Sequence, residues 1–183
     1  MMKISKTILP AALFCALGLS SASQAQVQYD MSRATCRDYQ AMTAPAKRDF
    51  AAWMSGWFNG KAGRTELNLQ VYHANIATMQ KWCAANPSAT VMSLIETASR
   101  NATAVRGGPA SIDAAGITCG DFIGSDPETQ LIVSAWTAGY ASADKDAAKI
   151  DVKAFARHEK AVQTACAKNK KQLLLPTVSK SWQ

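Results

Sequence analysis

A chain of 183 residues has room for one ordinary domain or two small ones. Its 48% apolar content with only 18% charged residues excludes a disordered or low-complexity protein. The net charge is +7, and a mean hydropathy of −0.10 with no apolar run of 18 residues excludes a spanning helix in the mature protein.

The N-terminus reads as an export signal. Lys3 and Lys6 form a positive head, residues 8–19 a short apolar core, and Ser23-Gln24-Ala25 supplies the small residues a signal peptidase reads. Residues 1–25 are therefore expected to be a signal peptide cleaved after Ala25. Cys15 does not make the chain a lipoprotein, because Phe14 before it is bulky and no polar tether follows. Cleavage leaves 158 residues with a charge of +5 and four cysteines. An even cysteine count in an exported chain predicts disulfides.

The cysteines mark an internal repeat. Cys36 and Cys83 are 47 apart, as are Cys119 and Cys166. A shift of 83 residues lays Thr35-Cys36-Arg37-Asp38-Tyr39 on Thr118-Cys119-Gly120-Asp121-Phe122 without a gap. The same shift lays Trp53-Met54-Ser55-Gly56-Trp57 on Trp136-Thr137-Ala138-Gly139-Tyr140, and Cys83-Ala84-Ala85-Asn86 on Cys166-Ala167-Lys168-Asn169. This is a duplication. Its two copies are expected at 26–99 and 118–183, joined by a flexible connector at 100–117 that contains Arg106-Gly107-Gly108-Pro109. Asn101-Ala102-Thr103 matches a glycosylation acceptor by composition alone. Four cysteines permit three pairings. The repeat favours Cys36–Cys83 and Cys119–Cys166, since an ancestral single copy had to pair within itself. Each copy is small for an unaided core, and a bridge across such a loop contributes about 4 kcal/mol on the chain-entropy model.

Within each copy the period is helical. Thr35 with Asp38, and Thr118 with Asp121, fit a capping box at a helix start. A cap and the helix dipole both favour the ionised Asp, which makes these residues pH-sensitive; equally, they fit an ordinary helix start. Phe50, Trp53, Met54, Trp57 and Phe58 form one apolar stripe, and Ile132, Ala135, Trp136, Gly139 and Tyr140 its counterpart. Core packing and a client-binding face both suit these stripes. Trp57 and Phe58 cannot share one narrow stripe, so one of them faces a second domain or another protomer. Leu69, Tyr72, Ile76, Met79 and Cys83 continue the first copy. Val152, Phe155, Val162 and Cys166 continue the second, with polar Glu159 in the slot of Ile76. Asn86-Pro87 is expected to open a further helix carrying Val91, Leu94, Ile95 and Ala98. Its counterpart, 173–182, is either interrupted by Pro176 or begins there. No alternating strand is expected. The fold class is all-α, two tandem small helical domains each stapled by one disulfide.

Catalytic signatures are missing. His73 and His158 do not superpose in the repeat and have no metal-ligand spacing, and no phosphate loop, nucleophile elbow or Cys-x-x-Cys occurs. No enzyme, cofactor or metal is expected. The excess positive charge is greater in 26–107, at +4, than in 108–183, at +1, and Lys168-Asn169-Lys170-Lys171 is the one dense basic run. An exported, disulfide-bonded protein has little access to nucleic acid, so a weak attraction to an anionic envelope surface is the remaining reading of that charge.

An exported helical unit beginning Thr-Cys-x-Asp-aromatic, with an aromatic-Gly helix and a second Cys 47 residues on, resembles the HdeA/HdeB acid-stress chaperone family. The resemblance covers about 35–99 and 118–182. It implies a small helical fold with one disulfide, location in the periplasm, and a dimer that is inert near neutral pH. It implies further that strong acid dissociates and partly unfolds the protein, which then binds denatured clients through exposed apolar surface. The four cysteines, Asp38, Asp121 and the aromatic-Gly helices are the residues that carry over. Family members have one copy, so the duplication suggests an intramolecular pair in place of the homodimer, and both a monomer with paired repeats and a homodimer remain open. A periplasmic immunity or inhibitor protein that holds one folded toxin or hydrolase at neutral pH is the alternative function, and a structural envelope protein the third.

Overall fold

The computed structural model describes residues 28–101, 111–144 and 148–182. The expected signal peptide at 1–25, and positions 102–110 of the expected connector, lie outside them. The first copy runs β1 (Gln28–Asp30), α1 (Cys36–Ala41), α2 (Ala44–Lys61), β2 (Glu66–Asn68), α3 (Leu69–Ala85) and α4 (Val91–Asn101). The second runs β3 (Ser111–Asp113), α5 (Cys119–Gly124), α6 (Pro127–Ala143), β4 (Lys149–Asp151), α7 (Val152–Lys168) and α8 (Leu174–Ser181). Each element of the second copy starts 83 residues after its twin. The all-α class holds, with one disulfide per copy: Cys36–Cys83 ties α1 to α3 and Cys119–Cys166 ties α5 to α7.

Side chains at the helix starts explain the boundaries. Thr43 caps α2 by accepting from the Ala46 N–H, with Pro45 in the first turn; Asp126 caps α6 from the Thr129 N–H, with Pro127 at the first position. Asn68 caps α3 from the Val71 N–H, and Asp151 caps α7 from those of Lys153 and Ala154. Each supplies an acceptor to an amide that the helix leaves without one.

Two local expectations need correction. Asn86-Pro87 does not open α4. Asn86 ends α3, its N–H donating to the Trp82 and Cys83 carbonyls, and α4 starts at Val91. The segment between serves α1: the Pro87 and Ala89 carbonyls accept from the N–H groups of Arg37 (2.9 Å) and Cys36 (2.8 Å). In the second copy the Lys170 and Gln172 carbonyls do the same for Gly120 and Cys119. Helix α8 starts two residues before Pro176, which sits in the first turn where a missing N–H costs nothing. The second correction is that strands exist. Each has three residues, too few for alternation to be read in sequence.

Those strands join the copies. β1 pairs antiparallel with β4, Tyr29 opposite Ile150, and β2 with β3, Leu67 opposite Ile112. Each copy therefore lends its first strand to the second strand of the other. Between the two ribbons α2 crosses α6 at close range. A Cβ on Gly56 would overlap the Trp136 carbonyl, and one on Gly139 would overlap the Trp53 carbonyl. Gly60 approaches Ala143 in the same way: a Cβ there would lie 2.7 Å from the Ala143 Cβ. Only glycine lets the backbones come so near, and the large side chains beside each one then fill the flanks. Trp53, Trp136, Met54 and Ile132 are fully buried there.

Candidate functional site

The apolar residues singled out in the sequence lie on α2 and α6 and belong to one shared core. Phe50, Trp53, Met54, Ile132 and Trp136 are buried, while Trp57, Phe58 and Tyr140 are half-buried against the same core. Trp136 stacks on Tyr140 at 5.4 Å, and Trp57 meets Phe58 edge to face at 5.1 Å. Lys61 lies 5.3 Å from the Trp57 ring centroid. The two stripes thus contribute their buried members to one shared core, with Trp57, Phe58 and Tyr140 at its partly exposed margin.

The α2–α6 seam is not fully satisfied. The indole Nε1 groups of Trp53, Trp57 and Trp136 are buried and have no hydrogen-bond partner among the described residues. A buried donor left unpaired costs about 1–3 kcal/mol, and water recovers that cost as soon as the seam opens. The burial of large aromatic area holds the copies together against this penalty.

The two capping boxes form as expected. The Thr35 backbone N–H and hydroxyl both donate to Asp38 Oδ2, at 2.9 and 2.7 Å, and the Asp38 N–H donates to the Thr35 hydroxyl oxygen at 3.2 Å. Thr118 and Asp121 repeat this at 3.0, 2.6 and 3.1 Å. The hydroxyl bonds first, then the backbone bonds, hold both carboxyl groups below the ordinary Asp value. Their contribution to folding is present above the unfolded pKa and is lost as pH falls through the folded one. Asp30, bonded by Ser32, and Asp126, bonded by Thr129, are lowered in the same sense.

Two acids, Asp49 and Glu159, shift the other way. Burial pushes Asp49 up, despite the Arg48 guanidinium 2.6 Å away, and burial with repulsion from Asp49 pushes Glu159 up. Asp49 stands on α2 and Glu159 on α7, so this repulsion acts between copies. Tyr72 lies in the same field. It donates to the Arg48 carbonyl at 2.8 Å, and burial raises its pKa. The sequence signal was present in part, since Glu159 takes the place of Ile76. For Asp49 there was none.

His73 is exposed on α3, and His158 is half-buried 4.6 Å from the Trp182 ring. Among the described residues no cluster of His, Cys, Asp or Glu has the geometry to hold a metal ion, and no helix is long and apolar enough to cross a membrane.

No curated protein and no solved structure matches the chain. The model of the HdeA/HdeB family matches it twice, over residues 7–93 and 90–175, with the same repeat length that offsets the helices, strands and disulfides. That family is known for periplasmic acid-stress chaperones. The two matches span most of the sequence, so the chain belongs to the HdeA/HdeB family as a tandem duplication of its domain.

Proposed function

We propose that this protein is a non-catalytic periplasmic chaperone that is shut near neutral pH and opens in strong acid to bind denatured clients. In this reading residues 1–25 direct export and are removed, the four cysteines oxidise in the periplasm, and the two copies pair within one chain. The single observation that carries the reading is the α2–α6 contact, where Trp53, Met54, Ile132 and Trp136 are buried, Trp57, Phe58 and Tyr140 are half-buried, and three indole Nε1 groups find no partner among the described residues.

Acid supplies the opening force. As strong acid removes the charge of the 13 acids of the mature chain, its side-chain charge climbs from +5 toward the +18 of its Lys and Arg residues. Self-repulsion then opposes compaction, while the caps at Asp38 and Asp121 lose their charge-assisted bonds. The disulfides survive acid and keep α1 on α3 and α5 on α7. Phe50, Trp53, Met54, Trp57, Phe58, Ile132, Trp136 and Tyr140 then become accessible on tethered helices, a compact state with exposed apolar surface. An inhibitor of a folded partner needs its contact surface in place at neutral pH, whereas the large apolar side chains exposed among the described residues are Tyr29, Val71 and Leu173.

The test incubates the purified oxidised protein with an acid-labile enzyme at about pH 2, followed by centrifugation and assay of the supernatant after neutralisation. Retention of the enzyme in soluble form, together with binding of a hydrophobic dye below about pH 3 and not at pH 7, is expected. A protein that stays packed in acid and leaves the enzyme to aggregate refutes the proposal and moves the inhibitor reading ahead.

A further inference from the structure

The duplication provides an internal comparison, because α3 and α7 are twins in length, cap position, disulfide and packing. They differ in charge. Residues 152–182 carry seven cations (Lys153, Arg157, Lys160, Lys168, Lys170, Lys171 and Lys180) and one acid, Glu159. The seven equivalent positions of the first copy, from Gln70 to Thr97, hold no charged residue. The lone cation of 69–99, Lys81, aligns with Thr164.

The placement of these cations is ordered. At about 100° per residue, Lys153, Arg157, Lys160 and Lys168 fall within a sector of about 80° on α7. All four are exposed, with Ala156, Ala161 and Ala167 exposed between and beside them. Val162 and Cys166 are buried on the opposite side, where Phe155 and Glu159 are half-buried. From Lys153 to Lys168 the row is about 22 Å long, and exposed Lys170 and Lys171 extend it past the helix end. The last turn is also the negative end of the helix dipole, which favours cations but requires only one or two of them.

We propose that this outward face of α7 is a docking surface for a bilayer rich in anionic phospholipid. The row has one sign of charge, long flexible side chains, small alanines between and beside them and, among its described residues, no exposed aromatic ring. Those properties fit a delocalised sheet of headgroup phosphates, in contrast with a nucleic acid, whose bases need stacking partners, or a folded protein, which needs anchors. The first copy keeps the fold without the charge, so the cations are not there for stability. Chaperone activity is not required for this surface to act.

The test uses the full oxidised mature chain at pH 7 and sedimentation with two kinds of vesicle. One is phosphatidylcholine alone; in the other about a third of the lipid is phosphatidylglycerol. The variant K153Q/R157A/K160A/K168A gives α7 the residues of α3, and a second variant, Q70K/A74R/A77K/A85K, does the reverse on the exposed face of α3. Wild type is expected to bind the anionic vesicles at low salt, to release in about 0.5 M salt, and to ignore the neutral ones. Each cation near an anionic surface contributes about fivefold, so the first variant should lose at least about tenfold in partitioning. The reverse changes, placed in the first variant, should restore binding. Unchanged binding by the first variant, equal binding to neutral vesicles, or tight binding to a labelled oligonucleotide with none to vesicles would each overturn the proposal.

Discussion

The seam between α2 and α6 is most directly tested at its two glycines. In G56A/G139A each new methyl carbon would overlap a tryptophan carbonyl, Trp136 for Gly56 and Trp53 for Gly139, and the obstacle is backbone that has no rotamer to change. The helices must separate, which loosens Trp53, Met54 and Trp136 at once. Overpacking of this kind costs about 1–3 kcal/mol at one site, and the two sites share one crossing, so their effects will not add fully. The gain in helix propensity from Gly to Ala, about 1 kcal/mol each, works in the opposite direction. A net loss of about 2 kcal/mol lowers the melting temperature of a chain this size by roughly 4–8 °C at pH 7. It also raises the pH of acid opening. If the transition takes up about four protons, stability falls by about 5 kcal/mol per pH unit, so the midpoint should rise by about 0.4 units. Circular dichroism gives the first quantity and tryptophan fluorescence during acid titration the second. A variant that melts at or above the wild-type temperature, with its acid midpoint unmoved, would refute close helix contact through these glycines.

Three further outcomes follow from the electrostatics and the fused architecture. Asp38→Asn with Asp121→Asn removes caps that are charged in the folded state, so the acid transition should move to higher pH, with stability reduced at pH 7 and unchanged once the wild-type acids are protonated; the measurement is a denaturant titration at several pH values. Glu159→Gln should act in the opposite sense. Its folded pKa is raised, so the charge costs stability above that pKa and the cost disappears as pH falls through it; the variant should be more stable at pH 7 and equal to wild type below the carboxylate range. Because the paired surfaces belong to one chain, the midpoint of acid-induced dye binding should be the same at about 1 and about 100 μM protein, whereas a pair held between separate chains would shift with concentration.

Much of the fold was legible because duplication writes the pattern twice. The cysteine spacing gave the two bridges, the Thr-Cys-x-Asp repeats gave the caps of α1 and α5, and a 3.6-residue period placed α2, α3, α6 and α7. What the sequence hid is how the copies meet. β1 and β2 are too short to alternate visibly, and their partners lie in the other copy. Pro87 resembled a helix start because local rules cannot know that the carbonyls of 87–89 are needed by α1. The stripe of Phe50, Trp53, Met54, Trp57 and Phe58 was readable as apolar, but its burial depends on Gly56 and Gly139, whose meaning appears only when the backbones touch. Asp49 was invisible as a perturbed acid, since its burial is made by tertiary packing.

The two classes of carboxylate impose an order on acidification. Asp49 and Glu159 have raised values, so they are protonated first, and their mutual repulsion between copies is relieved while the caps are still charged. Asp30, Asp38, Asp121 and Asp126 have lowered values and give up their bonds last. In the proposed mechanism, relief of this repulsion favours the closed pair before loss of the charged caps weakens it. In the proposed chaperone such a sequence sharpens the response, because opening waits for the late-titrating caps and the rising positive charge to act together. Fusion adds a second effect on the return path. In the proposed cycle, α2 and α6 find each other again within one chain when pH recovers, at an effective concentration of about millimolar for a short connection, without waiting for a partner. The copies are then free to diverge, because the pair no longer has to be symmetric. Glu159 opposite Asp49, where the first copy has Ile76, and the cations of α7, where α3 has none, are two places in which this chain has used that freedom.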